Sequence, residues 1–332
     1  MPETLRRIGP ANAGLHRFAV LTAAATFCLI VAGGLVTSTG SGLSVPDWPT
    51  TYGYNMFTFP ISKWVGGIRF EHTHRLIAST VGMLTIVLAV WLARREPRRW
   101  VRVLGWCALG AVVAQGILGG LTVLFFLPTA VSVAHACLGQ TFFCLVVAIA
   151  VVTSPRWRDR SPVSLRAAFL ASPVAKLAAA IAGLVYVQLL IGAVMRHLKA
   201  GLSIPDFPLA LGRIVPPLTS FPVAIHFAHR LNALVIAAVV AVLVTKARTS
   251  RRNGLARGAW ALAGLVVLQI GLGAATVLSG KDVLVTTAHV ATGALILSST
   301  LVFGIAALAT ELRRGNVIPM RPAASGRAAA WK

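Results

Sequence analysis

Charge is scarce in this chain, and negative charge is scarcer. Of its 332 residues only 12% are charged, and Asp and Glu number 8 against 31 Lys and Arg. A typical soluble domain carries about a quarter of its residues as charge, so this composition excludes one. Cysteine is limited to Cys28, Cys107, Cys137 and Cys144. All four fall inside apolar runs, with no close pair at metal-ligand spacing. That excludes a disulfide framework and a zinc site, and it reads the four thiols as small buried hydrophobes.

Apolar residues fill the space that charge leaves, at 57% of the chain. A helix needs about 20 apolar residues to cross a bilayer. Eight runs qualify: 18–38, 69–92, 101–124, 130–152, 174–195, 221–245, 257–279 and 283–309. Lipid offers no partner for an open backbone, so each is expected to be helical. The first run passes into Gly33-Gly34 without a small-residue cleavage signal and reads as a retained helix. The net charge of +23 would suggest nucleic acid, but its distribution argues against it. The N-terminus, the loops near 93–102, 154–176 and 246–257, and the C-terminal tail hold 23 of the 31 basic residues, leaving 8 for the other side. This is the positive-inside pattern of a multi-pass cell-membrane protein with both termini cytoplasmic. Arg94, Arg95, Arg98, Arg99 and Arg102 are then topology signals that touch anionic lipid.

The chain repeats itself. Gly42-Leu43-Ser44-Val45-Pro46-Asp47-Trp48-Pro49 returns as Gly201-Leu202-Ser203-Ile204-Pro205-Asp206-Phe207-Pro208, an offset of 159 (42 to 201). Glu71-His72-Thr73-His74-Arg75 is echoed by His226-Phe227-Ala228-His229-Arg230, an offset of 155 (74 to 229). Gln115 and His135 recur as Gln269 and His289, an offset of 154 (135 to 289). Offsets this constant across separate signals indicate a duplication. The expected fold is an all-α integral membrane protein of eight transmembrane helices in two four-helix bundles. Residues 1–153 and 173–332 form the halves, joined by a cytoplasmic linker at 154–172. Four helices per half is an even number, so both copies enter from one side, related by a pseudo-two-fold axis along the membrane normal.

Four histidines in apolar helices carry the chemistry. His74 and His135 lie at matched depth below the outer surface, roughly 8–9 Å down at 1.5 Å per residue, and His229 with His289 repeats the arrangement. A lone membrane histidine is most often a cross-helix hydrogen bonder. Two repeat-related pairs at matched depth point to axial ligation of haem iron. Glu71, one turn before His74 on the same face, reads either as an ion-pair partner of Arg69 or Arg75, or as an acid or base beside a bound substrate. Its counterpart is His226, so the halves differ at that position. Arg75 and Arg230 suit haem propionates, or else anchor loop carbonyls. Arg196 and Lys199 are further outer candidates. Trp48 and Phe207 sit in rigid segments that look like caps, with Asp47 and Asp206 setting turns. Gly116, Gly119 and Gly120, like Gly271 and Gly273, serve close helix packing or make room for a flat macrocycle. Gln115 and Gln269 bond across helices. His72 lies off the Glu71–His74 face, His197 at an interface, and His16 on the surface.

These residues together resemble the heme A synthase family, from the first helix to the eighth. The likeness rests on Gly42 to Pro49, the Glu71-x-x-His74-Arg75 motif, His135, Arg196-His197 to Pro208, His229-Arg230 and His289. It implies oxidation of the C8 methyl of heme O to a formyl group, giving heme A for terminal oxidases. By the same likeness His229 and His289 hold a resident haem b. His74 and His135 hold the substrate or product haem, with Glu71 near the methyl. Heme O synthase and oxidase assembly factors are the implied partners. Residues 39–68 lack the cysteine pair that some members carry there, so no mechanism needing that pair applies. A di-haem electron carrier, or a haem-delivery factor without turnover, is the alternative. Heme O synthase itself is disfavoured by the lack of an Asp-rich, Mg²⁺-binding motif.

Overall fold

The computed structural model describes residues 12–158, 165–249 and 253–315. Residues 1–11 (the basic lead), 159–164 (within the linker), 250–252 and 316–332 lie outside the described residues. Eight long helices dominate: α1 Ala13–Ser38, α2 Ile68–Arg95, α3 Arg99–Leu124, α4 Thr129–Thr153, α5 Pro173–His197, α6 Phe221–Thr249, α7 Asn253–Leu278 and α8 Val283–Gly315. All eight are long and apolar enough to span a membrane, and the protein is an all-α integral membrane protein. Among the described residues the only β pairing is two isolated bridges, Thr51 with Tyr54 and Ala210 with Arg213.

The helix ends follow local chemistry. Asn12 caps α1 by accepting the Leu15 N–H, and Ser172 caps α5 by accepting from Ala175, with Pro173 at the first helical position. Pro128 opens α4. The α3–α4 and α7–α8 turns close alike: Leu127 N–H donates to Thr122 O and Phe126 to Val123, as Lys281 does to Thr276 and Gly280 to Val277. Two expectations need correction, that for His16 and that for two of the cysteines. α1 begins five residues before 18, which brings His16 into the helix, half-buried and bonded to Ala150 O at 3.0 Å. The linker carries two short helices, Pro155–Arg158 and Leu165–Ala171. Cys28 and Cys107 are exposed on helix faces rather than buried, because their runs present one side outward, while Cys137 and Cys144 are partly covered.

Within residues 12–158, α1 packs on α2 and α4, and α3 packs on the same two helices. Helices α5 to α8 repeat that ring. The halves meet where α1 touches α8, α4 touches α5, and α4 touches α8. The first two of these contacts are counterparts under the repeat.

Each half has its own apolar core, placed toward one end. In the first it gathers Leu15, Ala19, Val81, Leu88, Leu92, Val101, Ala108, Val146 and Ile149. In the second it gathers Val174, Ile181, Val240, Leu243, Leu262 and Phe303 among others. These residues lie early in the first and third helices of each half and late in the second and fourth. Tight packing therefore closes the base of each bundle and leaves the opposite, loop-bearing end to the histidines.

Candidate functional site

Each half is topped by the loop that follows its first helix, and the two loops are tied down identically. Asp47 accepts the N–H groups of Tyr52 (2.7 Å) and Gly53 (2.9 Å), and Asp206 those of Leu211 and Gly212 (2.7 Å each). Burial pushes the Asp47 carboxyl up, but the Gly53 N–H, Thr50 hydroxyl and Tyr52 N–H outweigh it and hold it below its ordinary 3.8. Donation from Gly212 and Leu211 likewise lowers Asp206. The expected turn-setting role of both residues is what the hydrogen bonds show. Trp48-Pro49 and Phe207-Pro208 are both cis.

Below each loop an arginine holds it to the bundle. Arg75 donates from Nη1 to Asp47 O (2.7 Å) and Thr50 O (3.0 Å), and from Nη2 to Val45 O (2.9 Å) and Glu71 Oε1 (2.7 Å). Arg230 donates from Nη1 to Leu209 O (2.9 Å) and from Nη2 to Ile204 O and Asp206 O (2.8 Å each), with Phe207 beneath its guanidinium at 5.8 Å. This is the loop-anchoring alternative for the two arginines. Glu71 is 3% exposed and engages both oxygens, Oε1 with Arg75 and Oε2 with the Val45 N–H at 2.8 Å. His226 repeats the duty with an imidazole: Nδ1 accepts the Ile204 N–H and Nε2 faces Arg230 Nε, each at 3.3 Å. His72 belongs to the same anchorage. It contacts Thr51 Oγ1 at 3.2 Å and packs edge-on to Trp64, with Phe59 beside it.

Four further histidines, His74 and His135 in the first half and His229 and His289 in the second, lie between the loops and the cores, while His197 ends α5, half-buried. The His229 and His289 ring centroids are 6.4 Å apart. His74 and His135 are the counterpart pair of the first half, lying against Gly33 and Gly119. In all four the Nδ1 atom is buried and makes no hydrogen bond. In each bundle glutamines of neighbouring helices hold the histidine backbones or rings. Gln115 donates to His135 O and Gln188 to His229 O (2.9 Å each), while Gln269 Nε2 lies 3.3 Å from His289 Nε2. Asn232 fixes Gln188 by donating to its Oε1 at 2.8 Å. Trp48 lies directly over Gly120 of α3: a Cβ there would come within 2.6 Å of its indole. The counterpart pair is the smaller Phe207 and the larger Ala274. Arg196 reaches across the seam to Ser38 Oγ (3.2 Å), which also accepts from Thr287 of α8. Among the described residues no carboxylate pairs with Arg196.

The donor set suits a porphyrin and not a bare ion. Among the described residues no cluster of three or more metal-ligating side chains exists. Two opposed imidazoles complete a coordination sphere only when a macrocycle supplies the other ligands. Imidazole–metal bonds of about 2 Å, with each ring centre ~1 Å behind its nitrogen, space the centroids by roughly 6 Å, as the second pair is spaced. Sequence reasoning found the four histidines, but passed over Gln188 and Asn232 and over the glycines at 33 and 192. Gly33 and Gly192 share the loop's offset of 159 (33 to 192), which was the available signal.

Comparison with known proteins agrees with this reading. A family described as COX15-CtaA, cytochrome oxidase assembly protein, matches residues 16–65 and 58–301. The chain is 32% identical over 295 residues to a heme A synthase of Symbiobacterium thermophilum, covering 86% of this chain and 90% of that one. It is 30% identical over 338 residues to a heme A synthase of Caulobacter vibrioides (85% and 93%) and 29% identical over 286 residues to that of Halalkalibacterium halodurans (83% and 92%).

Proposed function

This chain belongs to the COX15-CtaA family of cytochrome oxidase assembly proteins, and we propose that within it the protein is a heme A synthase, oxidising the C8 methyl of heme O to a formyl group. The observation that carries the proposal is the doubled histidine pair, with a buried carboxylate above only one copy. In this reading residues 1–153 form the substrate half, where His74 and His135 bind heme O and release heme A. Residues 173–332 form the resident half, where His229 and His289 hold haem b. The contacts between halves suit a pseudo-two-fold axis along the membrane normal. The basic loops support a topology with both termini cytoplasmic and the two sites near the opposite face of the cell membrane.

The resident haem, when bound, supplies one-electron redox capacity. The protein's own groups position and enclose. Arg75 and Arg230 clamp the two loops, so that Trp48 and Phe207 wall the sites against water. Arg196 is left without a carboxylate at the seam and is assigned to a haem propionate. Glu71 stands one turn from His74 on the substrate side and is assigned the proton transfers at the methyl under oxidation. Taking a proton there loosens its pair with Arg75, so the chemistry and the loop clamp share one carboxylate.

The test is to express the protein with a heme O source and extract its non-covalent haems. Heme A or its hydroxylated precursor supports the proposal. Unchanged heme O beside haem b would make the protein a carrier or delivery factor instead. In the same assay Glu71→Ala keeps haem b and yields no formyl product. Normal heme A from that variant would remove Glu71 from the chemistry.

A further inference from the structure

Haem ligation by itself does not explain where the four imidazoles rest. Each lies against a glycine of the preceding helix in its bundle. A Cβ would stand 3.1 Å from His74 Cε1 if built at Gly33, and 3.3 Å from His135 Cε1 at Gly119. It would stand 3.2 Å from His229 Cε1 at Gly192, and 3.1 Å from His289 Cε1 at Gly273. Contacts that short force the neighbour to move. The ring edge that meets the glycine is the Cε1–Nδ1 edge in all four cases, and Nδ1 is the buried, unpartnered atom. The backbone of Leu29 interacts with His74, that of Gln115 with His135 and that of Gln269 with His289. These residues stand four before Gly33, Gly119 and Gly273. In an α-helix the carbonyl of residue i lies under residue i+4, so a missing Cβ uncovers it. None of the four Nδ1 atoms makes a formed hydrogen bond. Near-neighbour glycines are different: Gly116, Gly183 and Gly271 meet nothing within 4 Å.

We propose that Gly33, Gly119, Gly192 and Gly273 are positioning residues for the axial ligands. Each lets an imidazole settle on the neighbouring helix with its Nδ1 edge over the backbone exposed by the missing Cβ, leaving Nε2 for the iron; at His289 the Gln269 amide, 3.3 Å from Nε2, must swing aside for this. The inference rests on the haem-ligation reading above. An outer partner on Nδ1 fixes the tautomer and makes the ligand more basic, which favours ferric over ferrous iron. Gln188 and Gln115, donating to the carbonyls of His229 and His135, hold the backbones that carry the rings.

The test compares Gly192→Ala and Gly273→Ala with Gly183→Ala and Gly264→Ala, glycines of the same two helices that meet nothing within 4 Å, in the full-length, haem-loaded protein. Haem b affinity, the low-spin electron paramagnetic resonance spectrum and the midpoint potential are read on each, with helicity checked by circular dichroism. The first two variants are expected to lose about 10–100-fold in haem affinity, the effect of removing an outer-shell partner, and to shift the potential upward. The second two should match wild type. Gly192 and Gly273 lie on different helices and serve one iron, so either variant carries the test, and Gly33→Ala with Gly119→Ala repeats it at the other pair. Wild-type affinity, spectrum and potential in the first two would overturn the inference while leaving the ligands intact. Wild-type protein without a six-coordinate, bis-histidine spectrum would instead overturn the underlying reading.

Discussion

Replacing Arg75 by alanine is the sharpest perturbation of the loop clamp. It removes four hydrogen bonds, three of them to the carbonyls of Val45, Asp47 and Thr50, and it strands Glu71, which is 3% exposed. Breaking a buried ion pair from one side costs about 3–5 kcal/mol. At about 1.4 kcal/mol per tenfold, that raises the opening of the 45–54 loop by roughly two to three and a half decades. Arg230→Ala removes the counterpart bonds to Ile204, Asp206 and Leu209 but leaves an imidazole behind, not a carboxylate. Its cost is that of lost charge-assisted hydrogen bonds, about 1.5–3 kcal/mol, or roughly one to two decades in opening. Hydrogen exchange read by mass spectrometry on peptides 45–54 and 204–213 measures both. The first loop should open more in its variant than the second loop does in its own. Adding Glu71→Gln to Arg75→Ala should recover part of the loss by removing the stranded charge. Equal effects in the two halves, or no recovery in the double variant, would refute the reasoning.

Other outcomes follow from the same geometry. Asp47 is depressed in the folded protein, so its contribution is complete above the ordinary carboxylate range and is lost as pH falls through the lower folded value. Exchange at the Tyr52 and Gly53 amides, corrected for intrinsic rates, should therefore accelerate below about pH 4, and Asp47→Asn should abolish that acceleration. Gly120→Ala drives a methyl into the Trp48 indole and should raise the fluorescence exposure of that tryptophan and weaken heme O retention. Ala274→Gly, at the repeat counterpart of Gly120, should leave haem b retention within about twofold. Maleimide reagents soluble in lipid should label Cys28 and Cys107 before Cys137 and Cys144, since only the first two are exposed.

Much of this was legible because lipid and repetition both leave coarse marks. The eight helices follow from apolar length alone, and the repeated Pro-Asp-aromatic-Pro segments with four histidines located two sites. The rest depended on what a residue touches. Arg75 suits a propionate and a carbonyl equally well in sequence, and only the fold shows its donors aimed at Val45, Asp47 and Thr50. Glu71 reads in sequence as an ion-pair partner or an acid or base, and the fold adds that it anchors its loop, a duty His226 performs in the other half. His16 looked solvated because α1 starts earlier than its apolar run. Gly119 differs from Gly116 in sequence only by recurring in the second half, as Gly273 where Gly116 falls on Ile270, and the reason is a histidine on the next helix, set by packing between helices.

The central claim is that each histidine pair holds its own porphyrin. The most direct measurement is haem content and type in purified wild type, His289→Ala and His135→Ala, each made with a heme O source. Wild type should carry haem b together with heme O or heme A. His289→Ala should lose haem b and keep the other, and His135→Ala should do the reverse. Loss of the same haem in both variants, or of neither, would contradict the account.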